Sequence, residues 1–260
     1  MGRGYDAQPI LNSGDKPCSS PSLENVYELL IKKKINASNN LNEFLKKINN
    51  YHAESSRSVL NILITLYNYW VPKGIDLGIK RSIILSKGHA SPALYVLLSQ
   101  NNEIEEEELE SFAMPNSRLQ SHPEGGKIPG ILFSTGSLGQ GLSVANGIAF
   151  AAKLNRERKE IAVILGDGEL DEGQIWESIS TSFSLKIDNV LAIIDRNGFQ
   201  LSGPTEEIKI KESIKKKFEA FGWYALEVRN DIKELIIALD MLSEINGIPK
   251  ALIVKGDIQS

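Results

Sequence analysis

The 260-residue chain has one cysteine, Cys18, and three histidines. A single thiol closes no internal disulfide and builds no multi-thiolate metal centre, which fits a reducing compartment. Positive charge is not in excess: 29 Lys and Arg face 33 Asp and Glu, for a net charge of −4. A duplex-binding surface concentrates Lys and Arg, so the balance argues against nucleic acid as the main partner. Long apolar runs are missing. The longest uncharged stretch, Ile128 to Ala152, carries five glycines, one proline and six Ser, Thr, Asn or Gln side chains. It is too polar for lipid, and the first twenty residues lack the apolar core of an export signal. The expected location is the cytoplasm, with no membrane contact. Three signatures are absent as well: the dinucleotide Gly-x-Gly-x-x-Gly, the Gly-Lys-Ser/Thr phosphate loop and the Gly-x-Ser-x-Gly nucleophile elbow.

What is present is ordinary globular composition, 42% hydrophobic and 24% charged. Residues 1–21 are rich in Gly, Ser, Pro, Asn and Asp and read as a flexible tail. Residues 22–260 read as one domain. From Leu23 to Trp70 apolar residues recur at helical spacing, giving two or three helices with joints at Asn39-Asn40 and Asn49-Asn50. Arg81–Leu85 is a short strand, and a helix over Ser91–Ser99 follows, with Pro92 in its first turn. The glutamate-rich run Glu103–Glu110 reads as a solvated helix face.

The second half alternates. β-Branched runs at Ile161–Leu165, Val190–Ile194, Tyr224–Val228 and Ala251–Val254 are separated by helical stretches at Glu172–Leu185, Ile208–Phe221 and Ile232–Ile245. Steps of this kind predict βαβ units: an α/β fold with a mostly parallel sheet, helices on both faces, and ligands at the carboxyl ends of the strands. One earlier helix carries Gly139, Ser143, Gly147 and Ala151, small residues every fourth position. Tight core packing and a central subunit contact both fit that stripe.

The chemistry concentrates in the strand-end loops. The first β-branched run ends in Gly166-Asp-Gly-Glu-Leu-Asp-Glu-Gly173, a glycine-rich turn before a helix, which suits phosphate. Four carboxylates within its residues 167–172 would repel a bare phosphate. A divalent cation between carboxylate and phosphate resolves the conflict, and magnesium binds in this way. Asn197 lies 30 residues after Asp167, one βαβ step, and so emerges at the same sheet edge. Asp167, Asn197, the Phe199 carbonyl, two phosphate oxygens and a water would complete an octahedron; capped turns without a metal account for the same residues. The three histidines, His52, His89 and His122, all sit at predicted junctions, where a near-neutral pKa suits proton transfer.

Five segments, in order along the chain, resemble a known family: Leu85-Ser-Lys-Gly-His89, His122-Pro-Glu, Ser134-Thr-Gly-Ser-Leu-Gly-Gln-Gly141, Gly166 to Gly173 with Trp176-Glu177, and Asp195-Arg-Asn-Gly-Phe-Gln-Leu-Ser-Gly203. They are similar to the N-terminal, diphosphate-binding half of transketolase, and the resemblance covers roughly Leu41 to Gly256. It implies thiamine diphosphate with magnesium, or calcium or manganese in its place. Asp167, Asn197 and Phe199 match the metal ligands. Ser55, Lys87, His89, Gly136, Ser137, Leu138, Gly168, Glu169, Asn197, Leu201 and Lys255 match positions around the cofactor. His122 resembles a histidine at the donor ketose, His52 one at the acceptor aldose, and Glu172 a carboxylate that shares a hydrogen bond with an essential glutamate across a subunit interface.

That glutamate belongs to a pyrimidine-binding domain, which the resemblance places on a separate C-terminal subunit. The expected enzyme is a split transketolase with two copies of each subunit, moving a two-carbon ketol unit between small sugars. A different thiamine-dependent acyl or ketol transfer, a deoxyxylulose-phosphate-synthase-like condensation, and a non-catalytic scaffold are the alternatives. One departure stands out: the segment Tyr51-His-Ala-Glu-Ser-Ser-Arg57 is bulkier and more charged than the small, glycine-rich turn usual in the family.

Overall fold

The computed structural model describes residues 22–200, 203–209 and 213–256. Residues 1–21 and Leu201 lie outside them. Five strands form one parallel sheet: β1 (Lys80–Leu85), β2 (Lys159–Gly166), β3 (Val190–Arg196), β4 (Tyr224–Arg229) and β5 (Lys250–Lys255). Their order is β1-β2-β3-β5-β4, with β5 between β3 and the edge strand β4.

The central strands β2, β3 and β5 read as near-continuous apolar runs because both faces of the sheet are covered there. Side chains alternate between two cores. Ile83, Leu85, Ala162, Ile164, Leu191, Ile193, Leu252 and Val254 face α1 (Leu23–Lys47), α2 (Ala53–Thr65), α4 (Ser91–Gln100) and α8 (Ile232–Ser243). Ile84, Val163, Leu165, Ala192, Ile194, Ala251 and Ile253 face α5 (Gln140–Leu154), α6 (Gly173–Ser184) and α7 (Ile214–Ala220). Between α2 and α3 (Val71–Asp76) the helix passes through a π turn at Leu66–Trp70. No helix among the described residues is long and apolar enough to cross a membrane.

Three expectations change. Asn39-Asn40 makes no joint: α1 runs through it for 25 residues. Its buried stripe of Leu30, Ala37, Leu41, Phe44 and Leu45 keeps helical spacing, and burial of that stripe outweighs the weak helix preference of asparagine. The joint at Asn49-Asn50 is real, with both residues at positive φ (54° and 55°). The helix expected over Ile208–Phe221 begins only at Ile214, capped by the Ser213 hydroxyl, while Thr205–Ile208 is a separate helical turn. The glutamate run forms a short 3₁₀ helix, Glu106–Ser111, with no buried side chain.

Within this chain the small-residue stripe is not tight core packing along its whole length. Gly147 and Ala151 are exposed, and a Cβ built on Gly147 would meet nothing within 4 Å.

Candidate active site

Four strand ends converge at one edge. Register pairs Leu85 with Ile164, Gly166 with Asp195, and Arg196 with Lys255. The loops after β1, β2, β3 and β5 therefore start at nearly the same level, and they carry Lys87 and His89, Asp167, Asn197, and Gly256.

The turn after β2 meets the turn after β3 directly. The Gly198 amide donates to Asp167 Oδ2 at 3.1 Å, and the Thr205 hydroxyl donates to the same oxygen at 3.0 Å. Asp167 Oδ1 accepts from the Gly168 amide at 3.0 Å. The Asp167 side chain is buried, and burial, with Asp195 nearby, pushes its pKa above the usual carboxylate value. An uncompensated buried carboxylate of this kind favours a cation. Asn197 Oδ1 accepts from the Phe199 amide at 3.0 Å, and Phe199 itself is exposed. Among the described residues no three His, Cys, Asp or Glu side chains converge as a metal cluster. The donors here are one carboxylate, one amide oxygen and a main-chain carbonyl, hard oxygens suited to magnesium or calcium.

Beside this turn pair lies a buried ion pair. Lys87 Nζ donates to Asp195 Oδ2 at 2.6 Å, with both side chains at most 1% exposed. The Ser58 hydroxyl donates to the same oxygen at 2.6 Å, and Asp195 Oδ1 has no partner among the described residues. Lys87 is bonded to Asp195 and acts on Asp167 only through space, as the last of its electrostatic influences, so among the described residues no cation is hydrogen-bonded to Asp167. The residues present fit a diphosphate that arrives with a divalent cation.

The three histidines do gather. The His52 and His89 rings lie 4.9 Å apart, and Tyr51 packs edge-on against His52 at 4.5 Å. His122 lies against Gly136, where an added Cβ would sit 3.0 Å from its ring. Gly136 has φ +139°, so glycine is required there for both backbone and space. Gly88 is equally tight: an added Cβ would meet Thr135 Oγ1 at 2.6 Å, which locks the Lys87-Gly88-His89 turn onto Thr135-Gly136. The loop bearing His122 is pinned to α4, where the Ser91 hydroxyl donates to the Ser121 carbonyl at 2.7 Å and the Tyr95 hydroxyl to the Gln120 carbonyl at 2.9 Å. Burial, then Lys87 and the other two histidines, lower the His89 pKa to about 3. Burial, then His122 and Lys87, also lower that of His52. Both rings are neutral at pH 7, each with one donor and one acceptor nitrogen. His52 is in the left-handed region (φ 43°, ψ 43°) at the N-terminus of α2, and its side chain makes no capping bond.

Other expected site residues are placed differently. Glu169 is 1% exposed and turned inward: Oε1 accepts from the Ser86 hydroxyl (2.5 Å) and the Gly139 amide (2.9 Å), and Oε2 from the Gly166 amide (3.1 Å). It clamps the loop after β1, the end of β2 and the start of α5. The Ser137-Leu138 segment leads straight into that clamp, with Ser137 exposed. The Lys255 ammonium pairs with Glu227, away from the Lys87–Asp195 pair. Gly256 instead closes on the turn after β3, its amide donating to the Arg196 carbonyl at 3.0 Å. Glu172 is exposed at the N-terminus of α6 and packs on Gly139, where an added Cβ would be 2.9 Å from its own Cβ. Ser55 is half-buried in the first turn of α2.

Sequence reading assigned no role to Asp195, Ser58, Ser86 or Thr205. Asp195 had a signal: a carboxylate closing an apolar strand is buried only where a cation meets it.

A parallel sheet that pools histidines, a lysine, an Asp-Gly turn and an Asn-Gly turn at one carboxyl edge defines an α/β ligand-binding domain with its chemistry on strand-end loops. More particularly, the chain belongs to the family described as transketolase, thiamine diphosphate binding domain, which matches residues 33–256. It is 40% identical over 199 residues to one of the subunits of apulose-4-phosphate transketolase from Phocaeicola vulgatus, covering 75% of this chain and 70% of that protein. It is 33% identical over 216 residues to 6-deoxy-6-sulfo-D-fructose transketolase subunit SqwG of a Clostridium species, covering 82% and 78%. Among solved structures, transketolase from Campylobacter jejuni superposes with a TM-score of 0.75 at 26% identity, over 88% of this chain and 37% of that one. The chain therefore spans little more than a third of that transketolase.

Proposed function

We propose that residues 22–260 form the diphosphate-binding subunit of a two-component transferase, which moves a two-carbon ketol unit from a ketose or ketose phosphate to an aldehyde. The observation that carries this reading is the contact of Asp167 with the Asn197-Gly198 turn beside three clustered histidines. When bound, thiamine diphosphate supplies a nucleophilic thiazolium carbon and an electron sink for breaking the carbon–carbon bond. Asp167, the Asn197 amide oxygen and the Phe199 carbonyl would hold magnesium, and through it the diphosphate. Gly168 and the amides at the start of the following turn lie beside that position.

Neutral His52 and His89 can each accept a hydrogen bond from a sugar hydroxyl or donate one to it without adding charge to the pocket. His122, pressed on Gly136 and near enough to lower the pKa of His52 and His89, is assigned to the donor. Glu172 is exposed beside Gly139, which supports assigning it the contact with a partner domain. The relatives from Phocaeicola vulgatus and Clostridium are each named as one subunit of a transketolase, which supports a separate partner. Two copies of each subunit, in the cytoplasm, complete the proposal.

The test is reconstitution with the product of a neighbouring gene, thiamine diphosphate, magnesium and an acceptor aldose, followed by a donor screen. Ketose phosphates and sulfo-ketoses are expected to yield a two-carbon-shortened aldose. Decarboxylation of pyruvate with no turnover of any ketose would refute the reading.

A further inference from the structure

Ser58 lies on α2, outside every motif at the sheet edge, yet it bonds two residues of the Asp195–Gly203 segment and, through Asp195, meets the Lys87 turn. Its hydroxyl donates to Asp195 Oδ2 at 2.6 Å, the oxygen that also receives Lys87 Nζ at 2.6 Å. Asn197 Nδ2 donates to Ser58 Oγ at 3.2 Å. The Ser55 carbonyl, 3.1 Å away, is an alternative acceptor for that hydroxyl, and the shorter contact to a charged oxygen is the stronger. The Ser58 main chain is held as well, because Asn230 Nδ2 donates to its carbonyl at 2.7 Å.

The direction of these bonds is forced. An ionised carboxylate only accepts, so the Ser58 proton points at Asp195. The hydroxyl oxygen can then only accept from its other neighbour, and only the NH₂ end of the Asn197 amide can donate to it. The carbonyl end of that amide must face the opposite way, where Oδ1 accepts from the Phe199 amide at 3.0 Å, within the turn whose Gly198 amide donates to Asp167.

We infer that Ser58 is a positioning residue that fixes the Asn197 amide with its oxygen toward the cation position, relaying the negative charge of Asp195 through one hydroxyl. The inference rests on the proposed role of Asn197 as a metal ligand. Partners of this kind, bonded to the far end of a ligand, typically change metal affinity about 10–100-fold.

Two readouts on the full-length chain test it, each with Ser58→Ala and Ser58→Thr. In nitrogen-15 spectra, the Asn197 side-chain amide, assigned by its loss in Asn197→Asp, should exchange with water about tenfold faster in Ser58→Ala than in the unsubstituted chain. Calorimetry on the complex with its partner subunit should show the magnesium requirement for thiamine diphosphate binding rising at least tenfold in Ser58→Ala. Ser58→Thr, which keeps the hydroxyl, should restore both. A magnesium requirement within twofold, together with unchanged Asn197 exchange, overturns the inference. So does a Ser58→Ala protein that is less stable to heat but unaltered in both readouts, since that is a packing role alone. Failure of the unsubstituted complex to bind the cofactor would refute the metal-site reading instead, and the Asn197 exchange would then decide the Ser58 inference by itself.

Discussion

At the scale of single residues, Glu169 carries three donors on two oxygens in a site from which water is excluded. Glu169→Ala leaves the Ser86 hydroxyl and the amides of Gly139 and Gly166 without that acceptor, at about 1–3 kcal/mol for each buried group left unpaired. Relaxation recovers part of this, so urea unfolding should show a loss of about 2–4 kcal/mol. Gly136→Ala acts on the opposite wall. The variant must hold alanine at φ +139° and push the His122 ring away, so strain of about 1–3 kcal/mol is expected in the same measurement, with a larger proportional loss of ketose turnover.

The histidines give a pH signature. A histidine with a lowered pKa binds fewer protons folded than unfolded, so its contribution to stability is intact above the unfolded value near 6.5 and is lost as pH falls below it, down to about 3 for His89. Asp167 and Glu169 have raised values and act with the opposite slope, over pH above their ordinary carboxylate values. Comparing the unsubstituted chain with His89→Asn isolates the histidine. The wild-type unfolding midpoint should fall more steeply between pH 6.5 and 5 than that of the variant, and parallel curves would count against a buried neutral His89.

Elements show why some of the fold was legible and some was not. Three of the four runs were readable because a strand buried on both faces has few polar positions to blur it, while the edge run Tyr224–Val228 keeps Glu227 and is only half-buried. Their pairing was legible only as a parallel sheet; the insertion of β5 between β3 and β4 comes from tertiary packing that no local pattern encodes. A joint at Asn39-Asn40 follows only if propensity outweighs periodicity, and in α1 it does not. Both asparagines lie outside the buried stripe of α1, where their cost is only about a few tenths of a kcal/mol each. Asn39→Ala should therefore stabilise the chain by about 0.5 kcal/mol, and a loss in urea unfolding instead would mean that Asn39 does more than occupy a helix position. The site was legible as far as its motifs reached, to Asp167, Asn197, Lys87 and the histidines. Ser58 was invisible because a serine on an amphipathic helix carries no signal until the fold sets it 2.6 Å from the carboxylate of Asp195, 137 residues further along the chain. The inward turn of Glu169 was hidden too, since the sequence places that carboxylate in an acidic loop without saying which side faces the cleft.

For the whole molecule, the decisive feature is a buried charge imbalance at the sheet edge. Lys87 is consumed by Asp195, while Asp167 is buried with neutral donors only, and its carboxylate is held at a raised pKa. The ligand-free protein bears that cost, and a bound cation removes it. Stability should therefore respond to ligand in a characteristic way. At about 100 times the dissociation constant, a ligand that binds only the folded state adds about 2.7 kcal/mol. For a chain of this size that corresponds to a rise in Tm of about 5–10 °C. Scanning calorimetry of the complex with thiamine diphosphate and magnesium should show such a rise, and a chelator should abolish it while cofactor remains present. Asp167→Asn separates the two halves of the argument. The amide oxygen can still accept from the Gly198 amide and the Thr205 hydroxyl, and the buried charge is gone, while the short local bond from the adjacent Gly168 amide is lost. Its ligand-free Tm should be no lower than that of the wild type, and its cofactor-dependent rise should vanish. A variant that loses several degrees without ligand yet keeps the full rise would show that Asp167 holds the turn together and that the cation sits elsewhere.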